Sequence, residues 1–279
     1  MFRFVSIADA VNWDAPLNGG LLAWYMALPD QQRGIYFRDL CRRVDGTLTN
    51  APLWGGPRGR DGGAGTLSFT AASGQYVDLG NPDLFNLNHM SFASWVFPTS
   101  FSDYRWIIGK TSPGTGERNF DFDIEQTTGK LRFFFTSAPS VFKGKVATNA
   151  LAINKWSHCV ATFDGATVSI YTNGVPNGSA AQAFTPQTTG QSASIGRPGT
   201  FNGQYFDGYL DDIRVCNRAW SANEVMSLCQ ASRGSYEREL NWQEAYDYVA
   251  QEAAAGRTTK NTRSHPLGVR AGINWRVSG

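Results

Sequence analysis

From Leu17 to about Cys216 the chain repeats one pattern. Short runs of alternating apolar and polar residues are broken by Gly, Asn, Pro and Ser. A period of two places alternate side chains on opposite faces of an extended backbone, so the pattern predicts half-buried strands. It predicts them over Gln75–Leu79, Met90–Phe97, Arg105–Lys110, Asn119–Glu125, Lys130–Thr136, Trp156–Phe163, Thr167–Thr172, Ser192–Ile195 and Gly208–Val215. Asp164-Gly165 and Asn173-Gly174 carry the Asx-Gly pair that tight hairpin turns require. Ser221-Ala222-Asn223-Glu224 reads as a capping box opening a helix, with Val225, Met226, Leu228 and Cys229 as its buried face. A second helix start is predicted at Asn241, with Trp242, Tyr246 and Val249 at helical spacing and a stop at Gly256. Regularly spaced short strands joined by such turns predict an all-β fold, a sandwich or jelly roll, with a short C-terminal helical extension and a basic arm.

The 279 residues are 42% hydrophobic and 17% charged, enough apolar content for a real core and unlike a disordered chain. The net charge is +2, from 25 basic and 23 acidic residues, so global charge favours neither a nucleic-acid binder nor a receptor for acids. The distribution is uneven, however. After Gly256 there is no acidic residue, while Arg257, Lys260, Arg263, Arg270 and Arg276 punctuate a Thr-, Asn- and Gly-rich tail. The organisation expected is an N-terminal arm over 1–16, the sandwich over 17–234, and a helical segment with the basic arm over 235–279. No stretch approaches the roughly 18 apolar residues of a membrane span, and the N-terminus does not read as a signal peptide. The four cysteines, Cys41, Cys159, Cys216 and Cys229, form no C-x-x-C pair. Two disulfides are open to them; buried free thiols in a reducing compartment is the reading adopted.

Several segments resemble laminin G-like (concanavalin A-like) jelly rolls. Lys155-Trp156 leads a hydrophobic strand into Phe163-Asp164-Gly165, then Thr167–Thr172 and Asn173-Gly174. Gly20–Tyr25 resembles the family's opening strand, and Leu67–Phe69 with Tyr76–Leu79 its second strand pair. Asp207–Val215 followed by Arg218-Ala219-Trp220-Ser221 resembles its last strand and capping helix. The resemblance covers about residues 17–234. It implies two stacked antiparallel sheets and a mostly non-enzymatic role in adhesion, glycan binding or structure on cell or virus surfaces. It also implies a calcium ion at the sandwich rim, for which Asp207, Asp211 and Asp212 are the candidate ligands. The family's Phe-Asp-Gly after the second strand is here Phe69-Thr70-Ala71, so one implied ligand is missing.

A second acidic set lies mid-chain. On a strand, Asp121, Asp123 and Glu125 share one face while Phe120, Phe122 and Ile124 take the other. Some glycosidases of this architecture carry Glu-x-Asp-x-Glu on a concave strand, two carboxylates serving as nucleophile and acid/base. The competing reading is a solvated acidic face opposite Lys130 and Arg132 of the next strand. Trp95, Trp106 and Trp156 are expected in core packing. Tyr205, Phe206 and Tyr209 either line a sugar site or pack inward, and packing is the reading adopted because Phe206 and Tyr209 flank the strand that resembles the family's last. His158 sits inside a strand and is expected to pack rather than react. The Gly-rich segment Gly55–Gly63 lacks the ending of a phosphate loop and reads as a turn. Asn177-Gly178-Ser179 matches a glycosylation sequon.

Taken together, the sequence describes a non-enzymatic attachment module carried on a larger particle, a phage-like virion in the first instance. Its partners would be protein subunits of the assembly and surface glycans, with nucleic acid and membrane spans disfavoured. Trp242 and the five basic tail residues would dock it. The alternative is a secreted or cell-surface carbohydrate-binding module, and the third reading a glycoside hydrolase resting on Glu125.

Overall fold

The computed structural model describes residue 11 and residues 14–27, 34–55, 66–112 and 115–236, with side chains to 231. All of them belong to one compact unit, Met1–Glu237. The expected second helix, Trp242, the five basic tail residues, most of the N-terminal arm and all but the first residue of Gly55–Gly63 lie outside the described residues.

The described residues form two eight-stranded antiparallel sheets, as the pattern predicts. In the first, β14 (Val175–Ala181), β13 (Thr167–Thr172), β12 (Ser157–Phe163), β7 (Met90–Pro98), β16 (Gly208–Cys216), β5 (Leu67–Phe69) and β4 (Leu53–Trp54) lie side by side, and β1 (Leu21–Tyr25) joins at β16. In the second the order is β11 (Phe142–Ala150), β10 (Lys130–Thr136), β9 (Glu117–Ile124), β8 (Arg105–Ser112), β15 (Ala193–Ile195), β6 (Tyr76–Asp78), β3 (Gly46–Thr49) and β2 (Tyr36–Phe37). The facing sides share one core. Phe92 and Val96 of β7, Ile170 of β13 and Leu210 of β16 meet Phe120, Phe122 and Ile124 of β9 and Phe133 and Phe135 of β10. The Phe120 and Phe92 rings lie 4.4 Å apart and those of Phe135 and Phe163 4.7 Å, within the range where aromatic pairs add to area burial.

The turns follow their sequence chemistry. Asn173 and Gly174 both adopt positive φ, 53° and 79°, and the Asn173 side chain accepts the His158 amide at 2.8 Å, locking the β13–β14 turn to β12. Strands β11 and β14 are absent from the sequence prediction for a clear reason. Both are edge strands with little apolar alternation, and β14 contains Pro176 and Gly178. Edge strands carry polar residues and irregularities that suppress further pairing, which also erases the period-two signal. Asn177 of the sequon lies on β14, 5% exposed, donating to Asn149 O and Thr172 Oγ1. The sequon is therefore a structural asparagine in this fold rather than an exposed acceptor.

Helix α1 (Ala222–Tyr236) covers the outer face of the first sheet. Its start is the predicted capping box: the Ser221 amide donates to Glu224 Oε2 at 2.8 Å and the Glu224 amide to Ser221 Oγ at 3.3 Å. Trp220, Val225 and Leu228 pack on Ala93, Val160 and Tyr171, and Cys229 packs on Trp95 and Trp156. Trp95 is fully buried and Trp156 half-buried, as core packing requires, but both lie under the helix and not between the sheets. His158 is packed beside Trp95 with ring centroids 5.3 Å apart, and burial drives its pKa down to about 4, keeping it neutral. All four cysteines are free and buried.

Candidate functional site

The outer face of the second sheet is built differently. Asp121 and Asp123 point away from the core from β9, opposite Phe120, Phe122 and Ile124, as alternation predicts. They are not solvated: both are fully buried. The cover is a pair of arginines. In the β9–β10 ladder Arg132 faces Asp123, and its guanidinium grips that carboxylate with both Nε (2.8 Å) and Nη2 (3.0 Å). Arg118, one turn of the ladder away, contacts Asp121 Oδ2 through Nη1. Glu125, just beyond β9, is half-buried and accepts the Thr128 hydroxyl at 2.6 Å. The acidic face is thus an ion-paired floor, and the expected open row of three acids is corrected accordingly.

Above this floor is a pocket of about 290 Å³, lined by Tyr104, Trp106, Arg118, Arg132, Phe134, Phe142 and Gln204. Aromatic rings hold both guanidiniums. Arg132 lies 4.2 Å from the Tyr104 ring centroid and 5.4 Å from that of Phe134, and Arg118 lies 4.7 Å from that of Phe142. Trp106 is buried, yet on this outer face and not in the core. Its indole donates to Gln204 Oε1 at 3.2 Å. Gly109 lets it lie flat, since a Cβ there would sit 2.7 Å from Trp106 Cζ3. Phe142 is 47% exposed at the mouth, with the Arg118 guanidinium over its ring.

Burial raises the carboxyl pKa of both floor aspartates, against the pull of the arginine beside each. Burial pushes the Asp121 carboxyl up to about 7, against the pull of Arg118. Burial also opposes charge on Arg132, but Asp123 outweighs it and the guanidinium pKa rises. Asp121 Oδ1 and Arg118 Nε are buried without a hydrogen-bond partner among the described residues.

The rim aspartates are not brought together. Asp207, at the start of β16, accepts the Ala71 amide at 3.2 Å and so ties down the turn after β5. Asp211 and Asp212 form a bulge in β16, with Asp212 at φ 49°. One edge of β16 pairs with β5 through Leu210 and with β1 from Ile213 onward, so the bulge is the handover point. Asp211 Oδ1 accepts the amides of Ala27 (2.9 Å) and Asp212 (2.7 Å) there. Asp212 receives Arg214 Nε at 2.8 Å and the Trp24 indole at 2.6 Å. Burial would raise its pKa, but Arg214 first and then His158 and Trp24 hold it below the usual carboxylate range. Among the described residues no group of three His, Cys, Asp or Glu side chains is placed to hold a metal ion. The three aspartates expected as calcium ligands thus each make separate hydrogen bonds in this structure.

Another pocket, about 360 Å³, is lined by Arg38, Asp39, Arg42, Arg43 and Asp45. Its carboxylates are engaged by the turn itself: Asp39 accepts the amides of Trp24, Cys41, Arg43 and Val44, and Asp45 pairs with Arg38 at 2.6 Å. Among the described residues it has no aromatic wall, so the smaller pocket is the better candidate for a ligand.

Sequence reasoning found Asp121, Asp123 and the facing Arg132. It missed Arg118, Tyr104, Phe134, Phe142 and Gln204. Period two along β10 puts Arg132 and Phe134 on one face, a signal that was readable. Gln204 comes from an irregular loop and Phe142 from an edge strand, where no period exists to read.

Two packed antiparallel sheets with an aromatic, polar pocket on an exposed face define a lectin-like β-sandwich. The chain belongs to the concanavalin A-like lectin/glucanases superfamily, whose family model matches residues 71–226, over half of the chain. No curated protein sequence matches it. Among solved structures, domain 4 of AbnA, a GH43 extracellular arabinanase from Geobacillus stearothermophilus in complex with arabinotriose, is similar at a TM-score of 0.55 and 19% identity, covering 76% of this chain and all of that domain. The binding domain of Paraclostridial Mosquitocidal Protein 1 is similar at 0.57 and 14%, covering 77% of this chain and 53% of that one. Trypanosoma rangeli sialidase is similar at 0.53 and 18%, and this chain spans about a third of its length, covering 32% of it. At these identities the likeness is one of fold. Among the described residues no helix is long and apolar enough to cross a membrane.

Proposed function

We propose that this domain binds a glycan on the outer face of β8–β11 without cleaving it, and that the chain presents it on a larger assembly. The observation that carries the first part is the half-exposed ring of Phe142 beside two aromatic-clamped arginines. Sugars are held by ring stacking combined with fixed polar groups, and this pocket supplies both from strands braced by the core. The similar domain with a bound arabinotriose supports a sugar as the ligand class. Binding without hydrolysis is supported by the state of the acids. Asp121 and Asp123 lie beneath Arg118 and Arg132, leaving Glu125 without a partner carboxylate at the surface. Glycoside hydrolysis uses a pair.

The test is a glycan array probed with the full chain and with Phe142→Ala, alongside assay of the bound sugars for released reducing ends. Binding that Phe142→Ala abolishes, without release, is expected. Retained binding in that variant would move the site elsewhere. Release that stops in Glu125→Gln would replace this reading with the hydrolase one.

The assembly part rests on sequence, namely the acid-free tail carrying Arg257, Lys260, Arg263, Arg270 and Arg276. The four free, buried thiols are consistent with synthesis in a reducing compartment. A phage-like virion is the assembly favoured. In density-gradient sedimentation of native material, the chain should travel with large particles and withstand a salt wash. Recovery at the top of the gradient would favour a free, extracellular module.

A further inference from the structure

The polar groups that line the Arg118–Arg132 pocket are almost all donors. Arginine has no acceptor. The Trp106 indole, a donor only, is spent on Gln204 Oε1, which leaves Gln204 its amide hydrogens and a single acceptor lone pair. Arg132 commits Nε and Nη2 to Asp123 and keeps Nη1, and Arg118 commits Nη1 to Asp121 and keeps Nη2, its Nε being buried. Among the described lining residues only Tyr104 has a hydroxyl that both donates and accepts. A neutral sugar presents hydroxyls that need donors and acceptors alike. A carboxylate needs donors alone, and guanidinium edges match it with charge-assisted bonds.

We infer that the pocket recognises a sugar carrying a carboxylate, of the uronic acid class, with its acidic group between Arg118 and Arg132 and its ring against Phe142. This rests on the glycan-binding reading above and gives it a ligand class. The floor matters to the charge balance. Arg118 and Arg132 are offset by Asp121 and Asp123, so the pocket is neutral when all four are charged. The charged groups around Asp121 are Arg118 and Asp123 on its own strand and Arg132 on β10; its neighbour across the ladder on β8 is Gly109. With its carboxyl held near 7 by burial, Asp121 takes up a proton as the pH falls below neutrality, and the pocket then carries net positive charge. Carboxylate binding therefore tightens between pH 8 and pH 6, where the ligand itself stays ionised.

The experiment is calorimetric titration of the full chain with tri-galacturonate, the matching neutral galactose trimer and a sulfated galactose trimer, at pH 6 and 8 and at two salt concentrations. The expected result is at least about tenfold tighter binding of the uronate than of the neutral trimer, weakening with salt and with rising pH. Arg118→Gln should erase the preference. Gln204→Glu, which sets a negative charge at the rim and leaves the Asp121 pair intact, should weaken the uronate selectively, so the test does not depend on one variant folding. Equal or tighter binding of the neutral trimer, lost in Phe142→Ala, overturns this inference and leaves the glycan-binding reading standing. Binding of the sulfated trimer alone overturns the carboxylate assignment. No binding of any trimer overturns it too, and the array then decides the broader reading separately.

Discussion

The two outer faces of the sandwich carry the same device and use it differently. On the first sheet Arg214 pairs with Asp212 and lies 4.1 Å from the Trp24 ring centroid; on the second, Arg132 pairs with Asp123 and lies 4.2 Å from that of Tyr104. Much of the first face is closed by the chain itself. Helix α1 covers Trp95, Val160 and Tyr171, and the Asp212 carboxylate is filled by an arginine and an indole. On the second face no described helix or strand covers the arginines, which line a pocket with spare donors and an aromatic at its mouth. Asp212 is accordingly held below the usual carboxylate range and Asp121 far above it. The balance of burial against partners decides the direction: Arg214, His158 and Trp24 outweigh burial at Asp212, whereas burial prevails at Asp121 and Asp123.

The largest expected effect lies on the closed face. Trp95→Ala removes a fully buried indole between the sheet and α1 and should cost about 3–5 kcal/mol in urea denaturation. A loss similar to that of an exposed residue would mean the helix is not a structural lid. Asp212→Ala strands a largely buried Arg214 and the Trp24 indole, and should cost about 3 kcal/mol. Gly109→Ala tests the floor of the open face. The added Cβ must displace Trp106, so we expect about 1–3 kcal/mol of destabilisation together with lost glycan binding. Unchanged binding would show that the Trp106–Gln204 bond does not shape the site.

The pH dependence sets the two faces against each other. Asp121 has a folded pKa raised from 3.8 to about 7, so its contribution is present below about pH 4 and lost as the pH rises through 7. His158, lowered from 6.5 to about 4, contributes above pH 6.5 and loses that contribution as the pH falls through 4. Over the shared window the two slopes oppose each other. Asp121→Asn should therefore leave a melting temperature that rises from pH 4 to 6.5, and His158→Phe one that falls from pH 4 to 7. Parallel profiles in the two variants would refute the contrast. The smallest effect on stability is expected for Phe142→Ala, within about 0.5 kcal/mol, because the ring is half exposed on an edge strand. A large loss there would make Phe142 a packing residue and remove it from the site.

Much of this was legible in the alternation. The central strands β7, β9, β10, β12, β13 and β16 appear within a few residues of the predicted bounds because each has one face in the core. The capping box and the Asn173-Gly174 turn were equally readable, since both are local chemistry. The site was half legible. Alternation set Asp121 and Asp123 on the outer face, and the next strand offered Arg132. It could not say that Arg118, three residues before Asp121, would fold over it, nor that the loop bearing Gln204 would close the pocket. The contacts of the Asp211-Asp212 pair were hidden for the same reason: next to each other in sequence, the two acids serve a strand handover that involves Ala27 and Trp24 from another part of the chain.

By itself, then, the sequence determined the class of fold, the inward and outward faces of the central strands and the main turns. Each of these is set by a period of two or by the dihedral preferences of a few adjacent residues. The tertiary structure alone decided which buried acids are satisfied, which outer face is left open and which aromatics frame it. Those outcomes depend on groups that sequence separates by tens of residues and that only the pairing of strands brings into contact.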